Sequence, residues 1–117
     1  MTFDDIRQMV LLLPEVEEHI ILGGPTFRIR KRFLACIAKI DPDTLVVKVP
    51  DQREREYLLA TKPEIYYLTD HYVSFECLLV RMPMADPDEL WQLLEQAWLA
   101  YAPKKLVKGY LAGKGLE

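Results

Sequence analysis

Cysteine is scarce in this chain of 117 residues, in which Cys36 and Cys77 are the only two. A short secreted domain held by disulfides carries more of them. We therefore expect two reduced thiols in the core of a cytoplasmic protein. The chain also lacks a charged segment followed by an apolar one at its start, and no apolar run approaches the roughly 18 residues of a membrane span. The sequence predicts no contact with a membrane.

Motifs for metals, phosphates and covalent catalysis are missing as well. The candidate metal ligands His19, Cys36, His71 and Cys77 do not have the paired spacing of a zinc site. Gly23-Gly24-Pro25 precedes a predicted strand instead of a helix, and no Lys-Ser or Lys-Thr follows it, so it is not a phosphate loop. No nucleophile has a histidine placed to activate it. The sequence predicts a binding protein with no cofactor and no metal, not an enzyme.

Length and charge limit the remaining possibilities. A chain of 117 residues in which half are apolar matches one packed domain, here 1–117. Its net charge is −3, whereas a nucleic-acid-binding domain is usually basic overall. Any contact with nucleic acid must therefore depend on local clusters of basic residues.

The pattern of apolar residues predicts an α+β fold. Helical spacing and start signals, such as Asp86-Pro87 before a run of acids, predict helices at 3–13, 51–61 and 86–101 and a short basic helix or turn at 104–111. Alternation and apolar runs between turn residues predict strands at 26–30, 33–40, 44–49, 65–68 and 73–82. The acidic segment 15–24 is predicted to be a connector. We expect a five-stranded antiparallel sheet with helices mainly on one face, in the order α-β-β-β-α-β-β-α.

The same pattern predicts the core. We expect six side chains to be buried together where the sheet meets the helices: Phe27, Ile37, Val47, Leu79, Leu94 and Trp98. The third helix should bury the stripe that contains Leu94 and Trp98.

Two basic clusters are the main candidates for a binding surface. Four bases fall within five positions at the first predicted hairpin, and three lysines lie in an acid-free segment near the end: Arg28, Arg30, Lys31 and Arg32, then Lys104, Lys105 and Lys108. Such local bases are what phosphate binding requires. The alternative is that these charges only keep an exposed strand and hairpin tip solvated.

The motifs, in their order, resemble those of the MmcQ/YjbR family of small bacterial proteins, nearly along the whole chain. The residues that carry the resemblance are Leu13-Pro14-Glu15-Val16-Glu17-Glu18, Gly24-Pro25-Thr26-Phe27-Arg28-Ile29-Arg30, Leu45-Val46-Val47-Lys48-Val49, Ile65-Tyr66-Tyr67-Leu68-Thr69-Asp70-His71-Tyr72, Leu79-Val80-Arg81, Asp86-Pro87-Asp88-Glu89-Leu90 and Ala102-Pro103-Lys104-Lys105. The resemblance implies an α+β fold similar to the type III secretion chaperones. It also implies a predicted double-wing DNA-binding role, and it brings no catalytic residues.

The chain departs from the family pattern at two places. Family members often carry glycine at the first hairpin turn, where this chain has Lys31, and the hairpin tip is therefore more basic here. They often carry Gly, Tyr and Trp after the His-Tyr pair, where this chain has the segment 73–77.

These observations lead to two functional hypotheses. The first is a small cytoplasmic DNA-binding protein whose hairpin tip and basic C-terminal segment contact phosphates. The second is a protein-binding or chaperone-like module, acting as a homodimer or on another protein through a sheet edge or an apolar face. A pocket beside His71 and Tyr72 is a further candidate site.

Overall fold

A computed structural model of the protein describes residues 1–115. The elements in chain order are α1 (Phe3–Val10), β1 (Val16–Ile21), β2 (Gly24–Ile29), β3 (Arg32–Ile37), β4 (Thr44–Lys48), α2 (Gln52–Thr61), β5 (Tyr66–Tyr67), β6 (Cys77–Arg81), a short 3-10 turn (Met82–Met84), α3 (Pro87–Tyr101) and α4 (Lys104–Gly113). The α+β class predicted from the sequence is confirmed.

Side chains at the helix starts explain why the helices begin where the sequence predicted. The Thr2 hydroxyl accepts a hydrogen bond from the Asp5 amide, and the Asp5 carboxylate accepts one from the Thr2 amide, which forms a capping box for α1. The Asp51 and Asp86 carboxylates accept hydrogen bonds from amides in the first turns of α2 and α3. Pro87 follows Asp86 at a position where a missing N–H costs nothing.

Within residues 1–115 the sheet has six antiparallel strands in the order β1-β2-β3-β4-β6-β5. The prediction of five strands was wrong, because the segment 15–24 contains β1 instead of a connector. β1 pairs with β2 along its full length, from Val16 opposite Ile29 to Ile21 opposite Gly24. The strand was not predicted because the adjacent acids Glu17 and Glu18 break the simple alternation of apolar and polar residues.

Two tight turns join β1 to β2 and β2 to β3. The first contains Leu22 (φ 52°) and Gly23 (φ 83°), the left-handed conformation that two-residue hairpin turns favour. The second contains Arg30 (φ 57°) and Lys31, and Ile29 pairs with Arg32 across it. The tight turn predicted at 30–32 is therefore present, although neither central residue is glycine.

A β-bulge changes the direction of the side chains in β3. Phe27 pairs with Ala35, whereas the next residue, Arg28, pairs with Phe33, so Leu34 is an extra residue on β3. Leu34 enters the core beneath the helices, and Phe33 packs on the opposite face of the sheet. The bulge thus places Phe33 beside Arg28 on the same face.

The main core lies between the sheet and the helices. All four helices contribute to it, and Phe27, Val47, Leu94 and Trp98 are buried there as predicted. The Trp98 indole Nε1 donates a 2.9 Å hydrogen bond to the Pro14 carbonyl oxygen. The prediction was wrong for Leu79, which belongs to a second cluster, whereas Ile37 is partly buried and packs against the main core.

The second cluster lies on the other face of the sheet and is small. Its buried members are Ala38, Val46, Cys77 and Leu79, and four partly buried side chains pack against it: Phe33, Cys36, Tyr67 and Tyr72. These residues come from strands and loops, so within residues 1–115 no helix covers this second face. Helices lie mainly on one face, as the sequence predicted. The described helices are also too short or too polar to cross a membrane.

Candidate ligand groove on the second face of the sheet

A groove of about 730 Å³ lies on the second face of the sheet. Its lining comes from the turn between β1 and β2, from β2 and β3, from Ala38 and Lys39 after β3, and from His71 and Tyr72 in the loop 68–76 between β5 and β6. We call it the basic groove. Its volume is within the range of pockets that bind small ligands.

The basic groove is lined by cations, and no carboxylate of the described residues lines it. Arg28, Lys31 and Lys39 all contribute to the lining, and no Asp or Glu does. The Nε atom of Arg28 is buried and has no hydrogen-bond partner within residues 1–115. Glu17 is opposite Arg28 on β1, but its carboxylate contacts the Nε2 atom of His19 at 3.1 Å. The groove therefore favours an anionic ligand with hydrogen-bond acceptors.

Aromatic rings form part of the same lining. Phe33 lies on β3, and His71 and Tyr72 lie on the loop. The His71 and Tyr72 rings are nearly perpendicular with their centroids 4.7 Å apart. Burial raises the pKa of the Tyr72 hydroxyl, so this group stays protonated and can donate a hydrogen bond at neutral pH.

Arg55 of α2 holds the loop that carries the His71-Tyr72 pair. Its guanidinium donates hydrogen bonds to the carbonyl oxygens of Val73 at 2.8 Å, of Cys77 at 3.4 Å, and of Phe75. Arg55 is itself buried, and few charged residues are buried without such partners. The aromatic side of the groove is therefore fixed before any ligand binds.

The two thiols differ in their surroundings. Both cysteines are free, as predicted, and Cys77 is buried in the second cluster. Cys36 is only half-buried and lines the basic groove, so the expectation of two core thiols was wrong for this residue. Burial raises the pKa of Cys36 to about 11.

The other bases of the hairpin tip do not line the groove. Arg30 pairs with Glu15 through an Nη2 to Oε1 distance of 2.8 Å. The Arg32 guanidinium carbon lies 5.3 Å from the centre of the Tyr101 ring, and the Lys48 ammonium lies 5.4 Å from the same ring. Of the three tip residues, only Lys31 points its side chain toward the groove lining.

The C-terminal lysines lie on α4. Lys104 and Lys105 are exposed in its first turn, and Lys108 is exposed one turn later. None of the three lines the basic groove. Tyr110 packs on Trp98, with ring centroids 4.8 Å apart, and fixes α4 against α3. The lysines of α4 are therefore not part of the basic groove, although Arg32 of the hairpin tip lies over Tyr101, three residues before α4 begins.

Comparison with known proteins identifies the family. A family model named YjbR matches residues 11–100. The chain belongs to the YjbR family. The chain is 29% identical to the uncharacterized proteins Mb2600 of Mycobacterium bovis and Rv2570 of Mycobacterium tuberculosis, over 97% of this chain and 98% of theirs.

A solved structure shows the same fold. The crystal structure of Deinococcus radiodurans protein DR2400, described as a DUF419 domain, superposes with a TM-score of 0.73 at 22% identity. The match covers 99% of this chain and 89% of that chain. It confirms the fold of this YjbR protein, and the match extends beyond residue 100, where the family model ends.

Sequence reasoning found part of the groove in this YjbR protein and missed the rest. Arg28, Lys31, His71 and Tyr72 were candidates and line the groove together. Phe33, Cys36 and Lys39 were not proposed as site residues. Lys39 does lie in the same acid-free segment as Arg28, which was a usable signal. The face of Phe33 depends on the bulge, which nothing in the sequence marks.

A second groove has the opposite chemistry. It lies between the start of α2 and α3, has a volume of about 750 Å³, and its polar lining consists of Asp51, Glu54, Gln92 and Gln96. Among the described residues no lysine, arginine or histidine lines this groove, so it offers no cation to an anionic ligand. Within residues 1–115 no group of three His, Cys, Asp or Glu side chains is arranged to hold a metal ion.

Proposed function

We propose that this YjbR-family protein binds nucleic acid and that the phosphates contact the cations of the basic groove. The observation that carries the proposal is the convergence of Arg28, Lys31 and Lys39 on one acid-free groove. Phosphate is an anion with several acceptor oxygens, and arginine and lysine are its usual protein partners. Arg28 lines this groove, and a guanidinium is a donor of the kind that binds phosphate oxygens.

The net charge of −3 is compatible with this proposal because binding depends on the local potential. Low-dielectric walls around a cluster of like charges concentrate the field in a cleft. The proposal therefore changes the interface suggested by the sequence. The main phosphate contacts are assigned to Arg28, Lys31 and Lys39. A smaller contribution is expected from Arg30 and Arg32, which have partners of their own, and from Lys104 and Lys105, which lie outside the groove.

The test is the salt dependence of oligonucleotide binding. Each phosphate contact contributes about 0.7 to the slope of log affinity against log salt for a single strand, and about 0.9 for a duplex. Replacing Arg28, Lys31 and Lys39 together with glutamine should therefore flatten the slope by about two units. Fluorescence anisotropy of labelled oligonucleotides at several salt concentrations measures it.

The matched control is the pair Lys104→Gln and Lys105→Gln, which removes exposed charge outside the groove. We expect this variant to keep the wild-type slope within about half a unit. Equal slopes for the wild type and the groove variant would contradict the proposal. A flattened slope only in the α4 variant would move the interface to α4.

A second candidate function rests on the free edge of β1. This strand ends the sheet, and Ile20 and Leu22 beside that edge are 72% and 81% exposed. An open edge with exposed apolar side chains is a surface on which another strand can pair. It supports self-association or a protein partner, and Leu22 belongs both to this edge and to the lining of the basic groove.

A further inference from the structure

The basic groove combines two features that together select a particular form of nucleic acid. It has cations for phosphates, and it has ring faces or edges from Phe33, His71 and Tyr72. In a duplex the faces of the bases are covered by their neighbours, so a protein reaches only base edges in the grooves. In a single strand the faces are available for stacking on aromatic side chains.

The dimensions of the groove favour the same conclusion. Its volume of about 730 Å³ admits a flat base with its sugar, whereas a stacked duplex is too bulky to enter. Lys31 and Lys39 flank the ends of β3, a strand of six residues that is roughly 20 Å long. Cations at both ends of an aromatic lining match a backbone that passes along the groove.

The groove is also prepared for a ligand. Arg55 fixes the loop of His71 and Tyr72 through three backbone carbonyls, and β2 and β3 belong to the middle of the sheet. A fixed ring loses little conformational freedom when a base stacks on it, so more of the stacking energy contributes to affinity.

We infer that the ligand is single-stranded nucleic acid, with one unpaired base placed in the basic groove against Tyr72 and the adjacent phosphates on Arg28, Lys31 and Lys39. This inference rests on the proposed function, since it names which nucleic acid the same groove accepts. It assigns to His71 and Phe33 the remaining aromatic contacts of that base.

The experiment compares four probes on the full chain. They are a short single-stranded thymidine oligonucleotide, the corresponding duplex, an abasic strand of the same length and thymidine monophosphate. The abasic strand keeps the phosphates and lacks the bases. We expect the single strand to bind about tenfold more tightly than the duplex or the abasic strand, because base stacking on an aromatic ring is of that size.

Variants locate the base. Tyr72→Ala should reduce the preference over the abasic strand to about twofold, and Tyr72→Phe should keep it because the ring remains. His71→Ala removes an exposed ring of the same lining and serves if Tyr72→Ala does not fold. The matched control is Tyr57→Ala, which removes a 58% exposed ring on α2 and should leave every affinity unchanged. The fluorescence of a 2-aminopurine in the strand reports stacking independently of affinity.

The outcomes separate the inference from the proposed function. If no probe binds at low salt, both are wrong. If the duplex and the abasic strand bind as tightly as the single strand, and the groove cations still carry the salt slope, the proposed function stands and the inference is overturned. If thymidine monophosphate binds as tightly as the strand, the groove is a site for free nucleotides, and the inference of a strand is likewise overturned.

Discussion

Arg28 and Arg55 show how similar side chains acquire different roles. Both have a buried Nε atom without a hydrogen-bond partner within residues 1–115. Arg55 directs the rest of its guanidinium to three backbone carbonyls and therefore holds a loop. Arg28 lines the basic groove. We assign a ligand to Arg28 because it lines an acid-free groove, whereas the guanidinium of Arg55 already has carbonyl partners.

The residues of the basic groove were predictable to the extent that they follow the chain locally. Arg28 and Lys31 stand out as bases next to a hairpin turn, and His71 and Tyr72 as a pair in a loop. Arg30 contacts Glu15, and Arg32 contacts Tyr101. Both contacts join residues that are far apart in the sequence, and both depend on the geometry of the hairpin turn. Spacing in the sequence carries no information on such contacts.

The chemistry of Cys36 supplies a probe of the groove. Burial raises its pKa from 9.0 to about 11. At pH 8 the fraction of Cys36 present as thiolate is therefore about 100-fold lower than for an ordinary cysteine. We expect slow alkylation by iodoacetamide at pH 8 and a rate that rises with pH toward 11. Single-stranded oligonucleotide should slow it further, because Cys36 lines the groove.

Mass spectrometry over time, with peptide mapping, measures each thiol separately. Cys77 is the internal control, since it is buried at 4% exposure and should react more slowly still. Alkylation of Cys36 as fast as that of free cysteine at pH 8, or a rate that an oligonucleotide does not change, would contradict this prediction.

At the scale of elements, local signals predicted the helices well and the first strand badly. Thr2, Asp51 and Asp86 cap helices through contacts within three residues, and such contacts are encoded by spacing. β1 is a strand because β2 pairs with it, not because of its own alternation. Its edge position tolerates Glu17 and Glu18, which a central strand would not bury.

Arg55 is predicted to link the stability of the fold to the groove. Arg55→Met keeps much of the apolar stem and removes the donors to three carbonyl oxygens. We expect a loss of about 3 kcal/mol in unfolding free energy, and a melting temperature lower by about 10 °C, because three carbonyl oxygens lose their donors, one of them in a buried contact. Binding of a single-stranded oligonucleotide should also weaken, since the Tyr72 ring is no longer held.

Arg53→Met is the matched control for this prediction. Arg53 lies on the same helix, two residues earlier, with an exposed side chain. We expect it to change the unfolding free energy by less than about 0.5 kcal/mol. Denaturant titration followed by circular dichroism compares the two variants. A similar loss in both would show that the loop does not depend on the carbonyl contacts.

For the whole molecule, the distribution of charge matters more than its sum. The chain is acidic overall, yet the second face carries an acid-free groove and the other described groove carries Asp51 and Glu54. We expect that arrangement to orient the ligand during encounter, with a strong dependence on salt.

The free edge of β1 gives the last prediction, which concerns assembly. An antiparallel pairing of two β1 edges about a two-fold axis perpendicular to the sheet would extend it to twelve strands, twice the six of one copy, with both basic grooves on the same surface. A single strand of sufficient length could then occupy both grooves and gain affinity through effective concentration. We expect weak, concentration-dependent dimers, since one short edge buries less surface than a stable dimer needs.

Ile20→Lys should abolish them, because Ile20 is 72% exposed beside the edge and lysine blocks edge pairing. Ile40→Lys is the control, since Ile40 is 66% exposed in a turn after β3 and away from β1. Sedimentation equilibrium over a range of concentrations measures the mass. A wild-type protein that stays monomeric at all of them, or equal association of both variants, would contradict pairing through β1.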